Sequence, residues 1–397
     1  MREQAWQRIR PSGRQRGGKR RGVVTAAAAV AVGALTVGAL APTAASAADG
    51  PAAAPADPVQ EGLNSLVRDD GVPAALGSVK DRDGRTRTYT AGVADLATGA
   101  KVPRDGQVRI GSNTKSFTAV VMLQLVAEKK VKLSDHVDDH LRGVVRGDGF
   151  DGRDITVRQL LQHTSGLPNY LEHLDSDVRY YKPRELLDRA LKGKAHFEPG
   201  KKWEYNNTNY LLAGLIIEKV THHPLAQEID RRVIKRAGLR HTYFPAPHEV
   251  TIREAHPKGY DQAAPGAPLV DATEWDPSWA WAAGQLVSTN SDLNRFYSAL
   301  MGGKLLKEPQ LKQMRKTVRA GFPFAEGARY GLGLVRTPLS CGGVYWGHGG
   351  SMTGYETRGG VARNGRAVNI AVTTQPTDKG TMKHAEGLVD KALCNGR

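Results

Sequence analysis

Cysteine is scarce in this chain: 397 residues hold two, Cys341 and Cys394. A disulfide-dense module is thereby excluded, and so is any Cys/His spacing of the zinc-site kind. His-Glu-x-x-His is absent and the His222-His223 pair reads as surface, so no metal and no other cofactor is expected. Gly-x-Ser-x-Gly is also absent, which argues against a lipase-type α/β-hydrolase. No basic run carries interleaved aromatics, so nothing points to nucleic acid. No internal repeat is visible.

What the chain does have begins with a basic stretch. The first 22 residues hold eight Arg or Lys and one Glu, followed by the uncharged Ala/Val-rich run Val23 to Ala41 and the small residues Ala45-Ser46-Ala47. Basic, apolar, then small is the pattern of a secretory signal, so residues 1–47 are expected to be cleaved and the protein to be extracellular. Arg20-Arg21 fits a twin-arginine signal as well as an ordinary basic flank. A membrane anchor is the weaker alternative, because the run is Ala-rich, holds two Gly and ends in Pro42. Removing the segment leaves +9 of the +16 net charge, a solvated basic surface. Two cysteines in an exported chain predict one disulfide, worth roughly 4 kcal/mol in the chain-entropy model, with two buried free thiols as the alternative.

The remaining 350 residues can bury a large core. Residues 48–58 read as a flexible leader. Ala75 to Lys80, Asp83-Gly84 and Arg85 to Ala91 read as a β-hairpin. Residues from about 113 to 284 are mainly helical, with periodicity over Ile155–His163, Tyr210–Val220 and Pro224–Arg236. Ala263 to Thr273 reads as irregular. Strand signals return with alternation at Val344–Gly347, Tyr355–Ala362 and Arg366–Thr374, and Thr377–Leu393 reads as a closing helix. The expected fold is α+β: an antiparallel sheet flanked by helices, built from both termini (59–112 and 285–397), with a mainly helical domain (113–284) inserted.

Ser112-Asn113-Thr114-Lys115 opens the most apolar helical stretch of the chain, Phe117 to Ala127. A helix start offers free N–H groups and partial positive charge. A lysine one turn on lies on the same face and loses its proton readily when buried. A neutral amine beside a hydroxyl is a base beside a nucleophile. Alone the motif is weak, since short motifs recur by chance. Tyr205-Asn206-Asn207 offers a phenol that can relay a proton and an amide that can both donate and accept. Its plain alternative is a packing ring with Asn207 capping the next helix. His348-Gly349-Gly350-Ser351 lies between strand signals, where paired glycines allow close approach and an edge N–H can serve an oxyanion hole. Its plain alternative is a β-bulge with an incidental histidine.

The order Ser-x-x-Lys, Tyr-x-Asn, His-x-Gly, with gaps of 93 and 143 residues between Ser112, Tyr205 and His348, resembles the penicillin-recognising serine hydrolases. The likeness is to the superfamily of serine β-lactamases and penicillin-binding proteins, in the branch of class C β-lactamases and secreted serine-type D-alanyl-D-alanine carboxypeptidases. It extends over residues 60–395 and includes His163-Thr164-Ser165-Gly166-Leu167 and Tyr330-Gly331-Leu332-Gly333-Leu334. The resemblance implies the β-lactamase/transpeptidase-like fold, a Ser112 acyl-enzyme, Lys115 as activator alone or with Tyr205, and Tyr205 as proton shuttle to the leaving amine. It implies Asn207, His348 and Ser351 at the substrate, an oxyanion hole from the Ser112 and Ser351 N–H groups, and a Cys341–Cys394 pair.

The implied partners are peptidoglycan peptides or other small amides and esters, with β-lactams as acylating inhibitors, and the implied state is a monomer. Gly349 departs from the pattern, because relatives carry a Thr whose hydroxyl holds the substrate's terminal carboxylate. Arg336 is the candidate replacement cation, with an ordinary exposed arginine as the alternative. A carboxypeptidase is thus expected first, a β-lactamase or esterase of the same family second, and a non-catalytic wall-binding or β-lactam-sensing protein third.

Overall fold

A computed structural model describes residues 57–175, 177, 179–376 and 379–395. The expected signal segment and residues 48–56 of the leader lie outside them. The leader's expected end is already structured: Asp57 caps helix α1 (Pro58–Arg68), its carboxylate accepting from the Val59 N–H at 2.9 Å, with Pro58 in the first turn.

The ten strands of the main sheet are numbered in chain order: β1 (Ala74–Lys80), β2 (Thr86–Asp95), β3 (Ala100–Lys101), β4 (Val318–Arg319), β5 (Arg329–Tyr330), β6 (Val335–Pro338), β7 (Val344–Gly347), β8 (Gly350–Met352), β9 (Tyr355–Ala362) and β10 (Ala367–Val372). Their order across the sheet is β4-β5-β6-β7-β9-β10-β1-β2-β3, with β8 paired to β9, and every pairing is antiparallel. Strands from both ends of the chain therefore meet, with β1 against β10 in the register Ala75 to Val372.

The alternation expected of β9 and β10 is absent, because every residue of both strands is buried. Helices cover both faces. Val79, Val368 and Ile370 pack with Leu63 and Leu66 of α1 and with Leu388 and Val389 of the last helix. On the other face lie Ala367, Ala371 and Val361, in the same cluster as Phe296. A sheet buried on two sides has no polar face to alternate with.

Four more helices matter for the site: α2 (Thr114–Ala127), α3 (Val157–Gln162), α4 (Asn207–Thr221) and α5 (Asn290–Met301); α6 (Lys379–Cys394) closes the chain. Every residue of α2 from Thr114 to Leu125 is buried, as expected of a helix without a polar stripe, and Phe117 stacks on Phe296 at 3.9 Å. One large core cluster joins Ile110 and Val287 to Phe117 and Leu211, so it crosses both expected domain boundaries. The segment expected to be irregular contains a short strand, Leu269–Asp271, paired with Tyr260–Gln262. The disulfide forms between Cys341 and Cys394, tying the end of α6 to the turn before β7 across 53 residues. Among the described residues no helix is long and apolar enough to cross a membrane, and no group of metal-ligating side chains occurs.

Candidate active site

Ser112 sits in a single 3-10 turn, Gly111–Asn113, that runs directly into α2. The turn presses on β8. A Cβ at Gly111 would lie 2.6 Å from the Ser351 carbonyl oxygen and 2.8 Å from its nitrogen, and φ there is +48°. Only glycine allows that approach. It brings the main chain just before the nucleophile against Ser351. Strands β8 and β9 are joined by the two-residue turn Thr353-Gly354, which closes on the Met352–Tyr355 pair. The hydrogen-bonded pair of such a hairpin is the closing one, so Ser351 and Glu356 form the next, non-bonded pair. The Ser351 N–H is therefore turned away from β9, toward the Ser112 turn. Two main-chain N–H groups on facing elements can donate to a developing oxyanion.

Lys115, in the first turn of α2 and one turn on from Ser112, is fully buried. Its Nζ lies 2.9 Å from Ser112 Oγ, 2.7 Å from Asn207 Oδ1 and 2.8 Å from the Ala283 carbonyl oxygen. Burial drives its pKa well below the ordinary lysine value. The rings of Tyr205 and Tyr210 lie 4.8 and 5.7 Å from Nζ and favour the charged form. Such contacts are worth about 0.5–2 kcal/mol, against several kcal/mol for desolvating an ammonium, so burial wins. A neutral amine has two N–H bonds and one lone pair. The two carbonyl oxygens can only accept, so they take the N–H bonds. The lone pair is left for the one neighbour that carries a proton, the Ser112 hydroxyl.

Asn207 is available for this because Asn206 does the capping. The Asn206 side chain accepts from the Thr208 N–H at 2.8 Å and ends the loop, which leaves Asn207 in the first turn of α4 with its amide turned to Lys115. Tyr205, immediately before, is 8% exposed and makes a hydrogen-bonding contact with Ser112. Burial raises its pKa above the ordinary tyrosine value, so it holds its proton at neutral pH. Lysine pushed down and tyrosine pushed up leave both groups neutral, one as base and one as acid.

His348 lines the cleft but does not act as a cation. Burial, and then the charge of Lys115 in its protonated form, pushes its pKa down to about 3. Nδ1 faces the Gly349 carbonyl oxygen at 2.5 Å and must donate, so Nε2 is bare and accepts from the Tyr330 hydroxyl at 3.0 Å. Both ring nitrogens are thus engaged within the protein, and the histidine buttresses β8 and Tyr205 rather than binding a carboxylate.

Arg336 does not line the cleft, so it does not take the place of the carboxylate-binding cation. Val335 and Thr337 line the cleft, whereas Arg336 between them pairs with Trp346 and does not. Side chains alternate along a strand, and Arg336 falls on the wrong phase. The cation in the cleft is Arg358 on β9, which the sequence reading missed. The available signal was an arginine two residues from a glutamate in a strand with no other charge.

These groups surround a cavity of about 350 Å³ that contains Ser112, Tyr205, His348, Ser351, Arg358, Phe324 and, from α6, Glu386 and Asp390. The structure brings together Ser112, Lys115, Tyr205, Asn207, His348 and Ser351, and leaves Arg336 outside.

A family model described as Beta-lactamase matches residues 75–393. Among solved structures, the chain is similar to a D-stereospecific amidohydrolase from Streptomyces sp., with 38% identity and a TM-score of 0.76 over 83% of this chain and 97% of that one. It is also similar to the D-amino acid amidase from Ochrobactrum anthropi SV3 in complex with L-phenylalanine amide, at 28% identity and a TM-score of 0.76 over 86% and 98%. Protein flp of Staphylococcus aureus (strain MW2) is 29% identical over 206 residues, 52% of this chain. The match spans about two fifths of that relative's length.

Proposed function

The chain belongs to the beta-lactamase family of serine hydrolases, and from that premise we propose that it cleaves amide bonds that follow a D-configured residue, through an acyl-enzyme on Ser112. The observation that carries the reading is the triple contact of the buried Lys115 amine with Ser112, Asn207 and Ala283. The likeness to a D-stereospecific amidohydrolase and a D-amino acid amidase supports the stereochemical part.

In this mechanism the Lys115 lone pair takes the Ser112 proton as Oγ bonds to the substrate carbonyl carbon. The carbonyl π electrons move to oxygen, between the Ser112 and Ser351 N–H groups. Tyr205 donates its proton to the leaving nitrogen as the C–N bond breaks, and Lys115 returns a proton to Tyr205. Water then attacks the ester by the reverse relay and frees the acid. Asn207 holds Lys115 through Oδ1 and can turn its amide N–H₂ toward the acyl part of the substrate.

The D-alanyl-D-alanine carboxypeptidase is the second reading. The cleft has the length for an amino-acid leaving group, because it runs past Ser112 to α6. β-Lactams would acylate the same serine, with β-lactamase and esterase turnover differing only in how fast water releases the acyl group. An extracellular location fits the disulfide, because such bonds persist in oxidising compartments. We propose a monomer.

The test is one substrate panel: D- and L-alaninamide, an N-acyl-D-Ala-D-Ala peptide, a chromogenic cephalosporin and a short-chain ester. The proposal expects a D over L preference of about 10²-fold or more in kcat/KM on the amides, as a site that positions substrate strictly achieves. Equal rates on both enantiomers, or release from none of the amides, would remove it.

A further inference from the structure

We infer that Gly349 and Arg358 together set the charge specificity of the leaving-group end of the cleft, so that it admits an uncharged or cationic group and rejects a free carboxylate. The inference rests on the D-specific hydrolase reading and narrows its substrate.

Position 349 lies at the leaving-group end. Tyr205, the proton donor to the leaving nitrogen, packs on His348, with ring centroids 6.1 Å apart, and Gly349 follows directly. A Cβ at Gly349 would lie 2.8 Å from Arg358 Nη1 and 3.2 Å from its Cδ and Cζ. The guanidinium therefore occupies the volume that a side chain at 349 would need. Absence of a side chain at 349 and presence of the arginine are one arrangement.

The guanidinium does not present a net positive charge. Nη1 bonds the Glu356 carboxylate and the Thr357 carbonyl oxygen, the latter at 2.9 Å. Nε bonds Glu386 of α6 at 3.1 Å. Asp390, one helical turn beyond Glu386, also lines the cavity and is held by the Ser340 N–H at 2.8 Å and by the Ser340 hydroxyl. Two carboxylates, Glu356 and Glu386, thus hold one guanidinium, and a third, Asp390, lines the same cavity. His348, which also lines this space, and Lys115, which contacts Ser112, are buried and engaged with protein partners. With Glu356 buried behind Arg358, the charged side chains that line the wall itself are Arg358, Glu386 and Asp390, and the four groups together carry a formal net charge of −2. A leaving group ending in a carboxylate meets like charge there, whereas an amide or ammonium can donate to Glu386.

The experiment compares two N-acyl-D-Ala-D-Ala peptides on the full chain, one ending in a free carboxylate and one in a primary carboxamide, by the release of D-alanine or D-alaninamide. The inference expects the carboxamide to react at least about tenfold faster in kcat/KM, a gap that salt narrows. Glu386→Gln removes one charge and should narrow the gap by about tenfold. Gly349→Thr pushes Arg358 aside, adds a hydroxyl and should move the ratio the same way. Equal or faster turnover of the carboxylate peptide overturns the inference, as does a ratio that neither variant changes. Turnover of neither peptide, with D-alaninamide also inert, removes the hydrolase reading and the inference with it.

Discussion

Replacing Lys115 by Met tests the base directly. Met fills nearly the same volume in a slot that is fully buried, so the substitution deletes the amine and little else. Asn207 Oδ1 and the Ala283 carbonyl oxygen lose the donor that sits 2.7 and 2.8 Å away. Two buried acceptors without a partner cost about 1–3 kcal/mol each, so the melting temperature falls but the fold persists. A general base contributes about 10²–10⁴-fold, so the acylation rate should drop by about 10³, or some 4 kcal/mol of barrier. Ser112 and Lys115 act as a unit, so adding Ser112→Ala should cost little beyond Ser112→Ala alone.

The assay is stopped-flow acylation by a chromogenic β-lactam or activated ester across pH. In the native protein the rate should rise through a pKa well below the ordinary lysine value and then stay level to alkaline pH. The variant should lose that limb. A loss of less than tenfold, or a native limb near the ordinary lysine pKa, would refute the assignment.

Tyr205→Phe keeps the ring that packs on His163 at 4.6 Å and deletes the proton donor, so amide hydrolysis should fall by about 10²-fold or more, while an activated ester, whose leaving group needs no proton, falls much less. Equal losses on both substrates would contradict a shuttle role. His196 is held by Glu204 at 2.6 Å and Glu172 at 3.5 Å, and hydrogen bonds to Glu172 and then Glu204 raise its pKa to about 9. The raised value means the stabilisation is full below about pH 6.5 and is lost as pH rises through 9. His196→Gln should therefore lower the melting temperature at pH 6.5 and have little effect at pH 10, read by circular dichroism; a pH-independent loss would refute the linkage. Replacing both Cys341 and Cys394 by Ser opens a loop spanning 53 residues and should destabilise the protein by about 4 kcal/mol in urea titration.

Some of this architecture is legible in the order of residues because it is local. The Ser112–Lys115 spacing needs only one turn of helix, and the run from Phe117 is apolar almost all round, which marks α2 as a buried helix. The Asn364-Gly365 turn sets the β9–β10 hairpin, whose pairing runs from Val361–Ala367 to Glu356–Val372. What the sequence hides is phase and distance. Arg336 and Thr337 are equally plausible cleft residues until the face of β6 is known, and a one-residue step exchanges them. Arg358 gains its meaning from Gly349 and from Glu386, which is 28 residues further along the chain. His348 looks like a titrating group until Tyr330 and the Gly349 carbonyl are seen to hold its two nitrogens. Asn207 looks like a helix cap until Asn206 takes that task.

The most direct check of the account is the mass of the protein, followed by a peptide map, after brief exposure to a penicillin. The account predicts one added penicilloyl group per chain, carried by the peptide that contains Ser112, at a rate that collapses in Lys115→Met. An adduct on any other residue, or undiminished labelling of Ser112 without the lysine, would contradict it.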